Sequence, residues 1–255
     1  MRNIALTLAY DGAAYHGWQR QNNGITVQEV LETTLARIVK APVTLYGCSR
    51  TDSGVHAMHY VANFRAETRI PEGKIPFALN ALLPPDIRVF AAKDMPEDFH
   101  ARFCAKGKTY RYKIDPRPFA DPFLVHRAWH YPYALDKELL FSSAHDYIGT
   151  HDFSAFMAAG GQVKTTVRTI YDCHFTEEDG LYVMSVTGNG FLYNMVRIMV
   201  GTCIAIAAHK LPPKVIPSLL NQEKRDMAQI TAPPDGLYLA QVYFDEISST
   251  ERSFL

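Results

Sequence analysis

A single carboxylate set among hydroxyls and an arginine is the most chemically suggestive feature of this chain. In GCSRTDSGVHA (Gly47–Ala57), Asp52 is flanked by Arg50, Thr51, Ser53 and Gly54. An aspartate in such a loop can act as nucleophile or general base, both typical of chemistry at a sugar's anomeric carbon. It can equally serve as an Asx-turn or cap residue, where Asp is common. Arg50 lies two residues earlier, on the same side if the segment is extended. There it could meet a phosphate or an extruded base, or form a surface ion pair of little energetic consequence.

Other positions carry potential chemistry. Asp52, His56 and His59 give the spacing D-x-x-x-H-x-x-H, which matches no closed ligand set, and strand periodicity points the two histidines to opposite faces. No metal site is expected. In KTYRY, Tyr110 and Tyr112 alternate with Thr109, Arg111 and Lys113, so both rings face one way, toward a core or toward a nucleic-acid base. Arg197 sits among Met195, Val196, Ile198 and Met199. Burying it is expensive without an anion; Asp52 is a candidate partner that would thereby be kept ionised, and snorkelling to the surface is the alternative. GLYLAQV, with Leu239, follows the turn signal Pro233-Pro234-Asp235 and reads as a last strand. GTHDFSAF, with His151 and Asp152, reads as a capped turn.

The elements that must position these residues follow from periodicity. Ile4, Leu6, Leu8 and Tyr10 alternate with smaller residues and predict a strand. A long Gly-rich, aromatic loop follows. Thr26 and Glu29 form a capping box ahead of the stripe Val27, Leu31, Leu35, Ile38, which Pro42 ends. Strands Val43–Tyr46 and Met58–Phe64 bracket the Asp52 loop, which is longer than the roughly two to five residues of a hairpin connection. A helix over Ile75–Leu83 and a strand over Ile87–Ala91 complete strand, helix, strand, strand, helix, strand, the split-βαβ or ferredoxin-like order. The second half repeats it: strand Lys108–Ile114, helix Leu135–Ile148, a hairpin of Thr166–Phe175 and Leu181–Thr187 turned at Glu177-Glu178-Asp179-Gly180, helix Phe191–His209 and strand Gly236–Phe244. A shorter helix is expected at about Lys214–Gln222. The prediction is an α+β (α/β-mixed) protein of two ferredoxin-like halves with joined sheets and a central active-site cleft. Its domains are 1–105, which carries the aspartate loop, and 106–247, with 248–255 as a polar tail.

Composition sets outer limits. The 255 residues, 47% hydrophobic and 20% charged, describe a globular chain with a sizeable core. No run approaches the roughly 18 apolar residues of a membrane span, and the N-terminus reads as a strand rather than a signal peptide. A cytoplasmic location is expected. Cys48, Cys104, Cys173 and Cys203 are widely spaced, form no C-x-x-C pair and are expected to be reduced thiols. Lys+Arg and Asp+Glu balance at 26 each, so net charge points to no polyanionic partner. Local charge does. Phe99 to Arg127 holds seven basic residues against two acidic ones, interleaved with Phe103, Tyr110, Tyr112, Phe119 and Phe123. Such a stripe suits a nucleic-acid surface, and suits an ordinary solvated strand face as well.

Together, GCSRTDSGVHA, KTYRY, GTHDFSAF, FLYNMVRIMVG and GLYLAQV, preceded by ALTLAYDGAAYHGWQRQ and TVQEVLE, resemble the TruA-type tRNA pseudouridine synthases. The resemblance runs from about Asn3 to Phe244. It implies Asp52 as nucleophile, Tyr110 stacked on the target uracil and Arg50 helping to extrude that base. It further implies that Arg197 holds the aspartate and that Leu239 lines the uracil pocket. The implied substrates are uridines 38, 39 and 40 of the tRNA anticodon stem-loop. The implied assembly is a homodimer with a cleft in each subunit. Moving a uracil from an N1–C1′ to a C5–C1′ bond adds no electrons or groups, so neither cofactor nor metal is expected. Two rivals remain at this level: a catalytically silent RNA-binding protein of the same fold, and a metal-assisted hydrolase using Asp52, His56 and His59.

Overall fold

The computed structural model describes residues 1–161, 163–221 and 230–245. Along the chain come β1 (Arg2–Tyr10), α1 (Val27–Val39), β2 (Leu45–Gly47), β3 (His56–Ala66), α2 (Ile75–Asn80), β4 (Ile87–Met95), β5 (Gly107–Asp115), β6 (Trp129–His130), α3 (Lys137–Ser143), β7 (Gly149–Asp152), β8 (Val167–Glu178), β9 (Leu181–Gly188), α4 (Met195–Ala207), α5 (Val215–Leu220) and β10 (Leu237–Tyr243). They divide into two compact units, Met1–Lys106 with the chain from Tyr238 on, and Gly107–Leu237. Each has mixed α/β architecture.

In the first unit β1 lies between β3 and β4, antiparallel to both. The opposite edge of β3 is shared: β2 pairs antiparallel with Ala62–Phe64, and β10 pairs parallel with His56 and Ala57. By its contacts the chain from Tyr238 groups with the first unit, whereas the sequence places the last strand in 106–247. The core side of β1 and β3 buries Ile4, Leu6, Leu8, Tyr60, Ala62 and Phe64. Helix α1 buries Val27, Leu31 and Leu35 as its stripe predicts, and Thr26 Oγ1 accepts from Glu29 N at 3.3 Å. The reciprocal half of the capping box is not used that way, since Glu29 faces Arg20 at 3.5 Å. Glu32 is also buried, because its Oε1 accepts from Leu45 N at 2.9 Å while Gln28 Nε2 donates to Leu45 O at 3.0 Å. These two side chains satisfy the backbone of a three-residue edge strand that otherwise could slip.

The second unit is an antiparallel sheet in the order β5-β9-β8-β7, with β6 added in parallel beside β5. Asp179 and Gly180, at φ of 50° and 77°, form the two-residue hairpin loop that an Asp-Gly pair favours. The strands therefore extend to Glu178, beyond the expected end at Phe175. GTHDFSAF is a strand followed by a turn: β7 pairs with β8, Asp152 Oδ1 caps Ser154 N at 2.8 Å, and Phe153 and Phe156 are wholly buried. Twelve of the thirteen residues of α4 are buried, which makes it a core helix, apolar on nearly every side. It begins at Met195 rather than Phe191, because Asn194 takes a left-handed φ of 58°. Of the expected 214–222 helix, residue 222 lies outside the described residues, as does the tail 248–255.

Candidate active site

The Asp52 loop is held on two sides. Its first strand-proximal residue, Cys48, donates its N–H to Val61 O at 2.9 Å, and Tyr60 Oη bonds Ser49 O. The other restraint is the Gly-rich segment after β1, which sequence reasoning treated simply as a long loop. Trp18 N donates to Thr51 O at 3.1 Å, and Gly54 N donates to Tyr15 O at 3.3 Å. The Thr51 hydroxyl meets Tyr10 Oη at 2.7 Å in a buried hydrogen bond. Gly17 has φ +78°, and a Cβ there would overlap Thr51 O; a Cβ on Gly12 would overlap Val55 O. Only glycine allows backbones to approach this closely.

Asp52 itself opens a tight turn. Val55 N donates to Asp52 O at 3.1 Å, with Gly54 at φ +79°, the position where a type II turn needs glycine. The turn is closed by the main-chain carbonyl of Asp52, and the Asp52 side chain is half-buried. Arg50 is exposed on the same loop. Leu239 is fully buried on β10 and registers with Ala57, so the first unit carries Arg50, Asp52 and Leu239 on segments meeting at the start of β3. His56 is buried there too. Its Nδ1 accepts from Gly12 N at 3.0 Å and lies 3.1 Å from Asp11 Oδ1, and its ring stacks on Tyr238 at 4.5 Å. These contacts give His56 a packing role in the loop's base.

Tyr110 and Arg197 belong to the second unit. Tyr110, Tyr112 and Ile114 form the buried face of β5. Tyr110 packs edge-on against Phe191 at 5.0 Å, whereas Tyr112 is a core residue whose hydroxyl donates to Pro233 O at 2.7 Å. Burial pushes the Tyr112 hydroxyl well above its usual range, with the Arg197 charge opposing. Arg197 is half-buried. Its Nε donates to Ala232 O at 2.7 Å and its Nη1 to Asn194 Oδ1 at 2.8 Å, while Ala232 N donates back to Arg197 O at 3.1 Å. A Cβ on Gly201 would overlap Ile230 O, so the glycine after FLYNMVRIMV is what lets the 230–232 segment lie along α4. Both acceptors are neutral. They orient the guanidinium without cancelling its charge.

The basic stripe is less uniform than its sequence. Arg111 is paired with Glu178, and Arg117 is paired with Asp115 at 2.7 Å and Asp121 at 3.2 Å. Arg102, Lys106 and Arg127 are exposed. No described helix is long and apolar enough to cross a membrane.

The structure is a mixed α/β fold with Asp52 on a loop held by its neighbours, and comparison with known proteins supplies the family. The tRNA pseudouridine synthase family profile matches residues 7–104 and 143–245. Curated relatives named tRNA pseudouridine synthase A include those of Thermoanaerobacter sp., 46% identical over 244 residues, and Acetivibrio thermocellus, 45% identical over 244. The Clostridium acetobutylicum relative is 41% identical over 244 residues, and in all three cases 96% of this chain and 100% of the relative are covered. The chain belongs to the tRNA pseudouridine synthase family, the isomerases that convert uridine to pseudouridine.

Proposed function

We propose that Asp52 is the nucleophile in the isomerisation of uridines 38, 39 and 40 of the tRNA anticodon stem-loop. The observation that carries this reading is the Asp52 turn: the backbone of its loop is fixed from both sides, by Tyr15 and Trp18 on one and by Tyr60 and Val61 on the other. A pre-positioned carboxylate is what attack at C1′ requires, since positioning contributes much of the rate in a single-site reaction. The carboxylate either bonds to C1′ as N1 departs, or takes a proton from C2′ to give a glycal. In both routes the N1–C1′ bond breaks, the uracil turns, C5 bonds to C1′, the C5 proton is lost and N1 takes up a proton. The C1′–carboxylate bond breaks as C5 attacks in the first route, and the carboxylic acid returns its proton to C2′ in the second.

The other assignments follow the same reading. Arg197, oriented by Asn194 and Ala232, keeps the Asp52 charge. Arg50 fills the space of the extruded base, Tyr110 stacks on the uracil and Leu239 gives its pocket an apolar wall. Unstacking the uridine costs a few kcal/mol, and one stacked base returns about 1–3 kcal/mol. The reaction as drawn needs no cofactor or metal. The proposed architecture is two split-βαβ halves, for which the pairing β4-β1-β3-β2 in the first unit speaks, with joined sheets and a central cleft. The proposed working form is a cytoplasmic homodimer.

Pseudouridine mapping in tRNA from cells with and without the protein tests the substrate. Loss at positions 38, 39 and 40 is expected, and an unchanged map at those positions would refute the assignment.

A further inference from the structure

The first unit carries a second recessed surface beside the Asp52 loop. A cavity of about 200 Å³ is lined by the end of β2, the start of the loop and the turn at His100–Phe103. Arg50 and Arg102 are in its lining, with no acidic residue among the described ones. Three rings form a ladder along it. Tyr46 lies 5.0 Å from His100 and His100 lies 4.4 Å from Phe103, while the Arg102 guanidinium sits 5.8 Å over the Phe103 ring. Phe103 is 75% exposed and Tyr46 43%. Rings held this far into water contribute little to folding.

The turn that carries His100 and Phe103 is nevertheless tied to the sheet by buried side chains. Asn3 on β1 and Asn63 on β3 are both buried, and Asn63 Nδ2 donates to Asn3 Oδ1 at 2.9 Å. Asn3 Nδ2 donates to Pro96 O at 2.8 Å and Phe99 O at 3.0 Å, and Asn63 Oδ1 accepts from Ala101 N at 2.9 Å. Burying two carboxamides is costly unless their groups are bonded. Here the bonds go to the segment that presents His100, Arg102 and Phe103. His100 Nδ1 accepts from Arg102 N at 3.1 Å, which ties the imidazole to the backbone of the turn.

We propose that this ladder is a second nucleotide subsite. It stacks an unpaired base of the substrate tRNA on Phe103 and Tyr46, with the adjoining phosphate on Arg102, apart from the target uridine. The inference rests on the reading of the chain as a tRNA pseudouridine synthase. Exposed aromatic faces, two cations and an acid-free lining are the chemistry that holds splayed single-stranded nucleotides.

Filter binding of tRNA by the full chain tests it, alongside thermal melts. Phe103→Ala is expected to weaken tRNA binding about tenfold, the effect of one lost stack. Phe103→Trp retains affinity, whereas Phe103→Leu behaves as the alanine variant does, a distinction that a merely structural ring would not produce. Arg102→Ser reduces the slope of log Kd against log salt by about 0.7, one phosphate contact to a single strand. In turnover assays the loss falls on KM more than on kcat. If Phe103→Ala and Arg102→Ser bind as the unaltered protein does, while that protein forms pseudouridine, the subsite alone is overturned. If the unaltered protein forms no pseudouridine, the reading beneath it falls, and the subsite with it.

Discussion

The main-chain N–H of Trp18 donates to the carbonyl of Thr51 at 3.1 Å, one residue before Asp52. Through this bond the segment after β1 sets the path of the aspartate loop, and the left-handed Gly17 makes the approach possible. Gly17→Ala would place a side chain at φ +78° and against Thr51 O, with about 1–2 kcal/mol of conformational cost before any overlap. The variant is expected to keep its circular dichroism and to lose at least about tenfold in pseudouridine formation, since each 1.4 kcal/mol is a factor of ten. Full activity would mean that the segment does not position the loop.

Tyr110 separates stacking from proton transfer. Its ring is buried and edge-on to Phe191. Tyr110→Phe is expected to bind tRNA nearly as the unaltered protein does, while Tyr110→Ala loses roughly the 1–3 kcal/mol of a base stack. Equal losses of affinity in both variants would show that the hydroxyl, not the ring, is what binding uses.

Asp115 is expected to contribute to acid stability. It is buried; burial alone would raise its pKa, but the Arg117 hydrogen bonds and charge outweigh this and hold the carboxyl below its usual range. A carboxyl depressed in the folded state stabilises the protein above its unfolded pKa of about 3.9 and loses that contribution as pH falls through the lower folded value. Arg117→Met is therefore expected to move the acid-unfolding midpoint to higher pH. The Tm deficit should be largest near neutrality and shrink below about pH 4. A deficit independent of pH would assign Arg117 a packing role instead.

The thiols should divide by burial. Cys48, Cys173 and Cys203 are wholly inaccessible, and burial pushes the Cys203 thiol up to about 12 and Cys173 well above its ordinary value. Cys104, directly after the His100–Phe103 turn, is partly exposed. Alkylation of the native protein is expected to modify one cysteine, Cys104, before unfolding. Rapid modification of a second would contradict the packing described.

What the sequence disclosed follows from how local each signal is. The strand over Ile4–Tyr10, the Thr26 cap and the existence of the hairpin are encoded by neighbouring residues; the hairpin's loop is shorter than the four residues expected, Asp179-Gly180 alone. The start of α4 was overrun, because Phe191–Tyr193 are apolar and nothing in residue type announces a left-handed Asn194. Strands β6 and β7 were missed because two or four residues carry too little periodicity to register. Within the site, Asp52 and Arg50 stood out by residue type. The clamp did not: Gly12 and Gly17 act through close approaches to residues about forty positions away, and such pairings have no local signature. The same holds for Asn3 and Asn63, which read as ordinary strand polars until their bonds to the 96–101 segment are seen.

The central claim is that the Asp52 carboxylate carries the reaction. Asp52→Asn preserves the size of the side chain and the main-chain carbonyl that closes the turn, so the loop should survive. The direct measurement is tritium release from [5-³H]uridine-labelled tRNA by Asp52→Asn at saturating enzyme. Tritium release is expected to be lost, with tRNA binding and Tm close to those of the unaltered protein. Turnover retained in that variant would contradict the account.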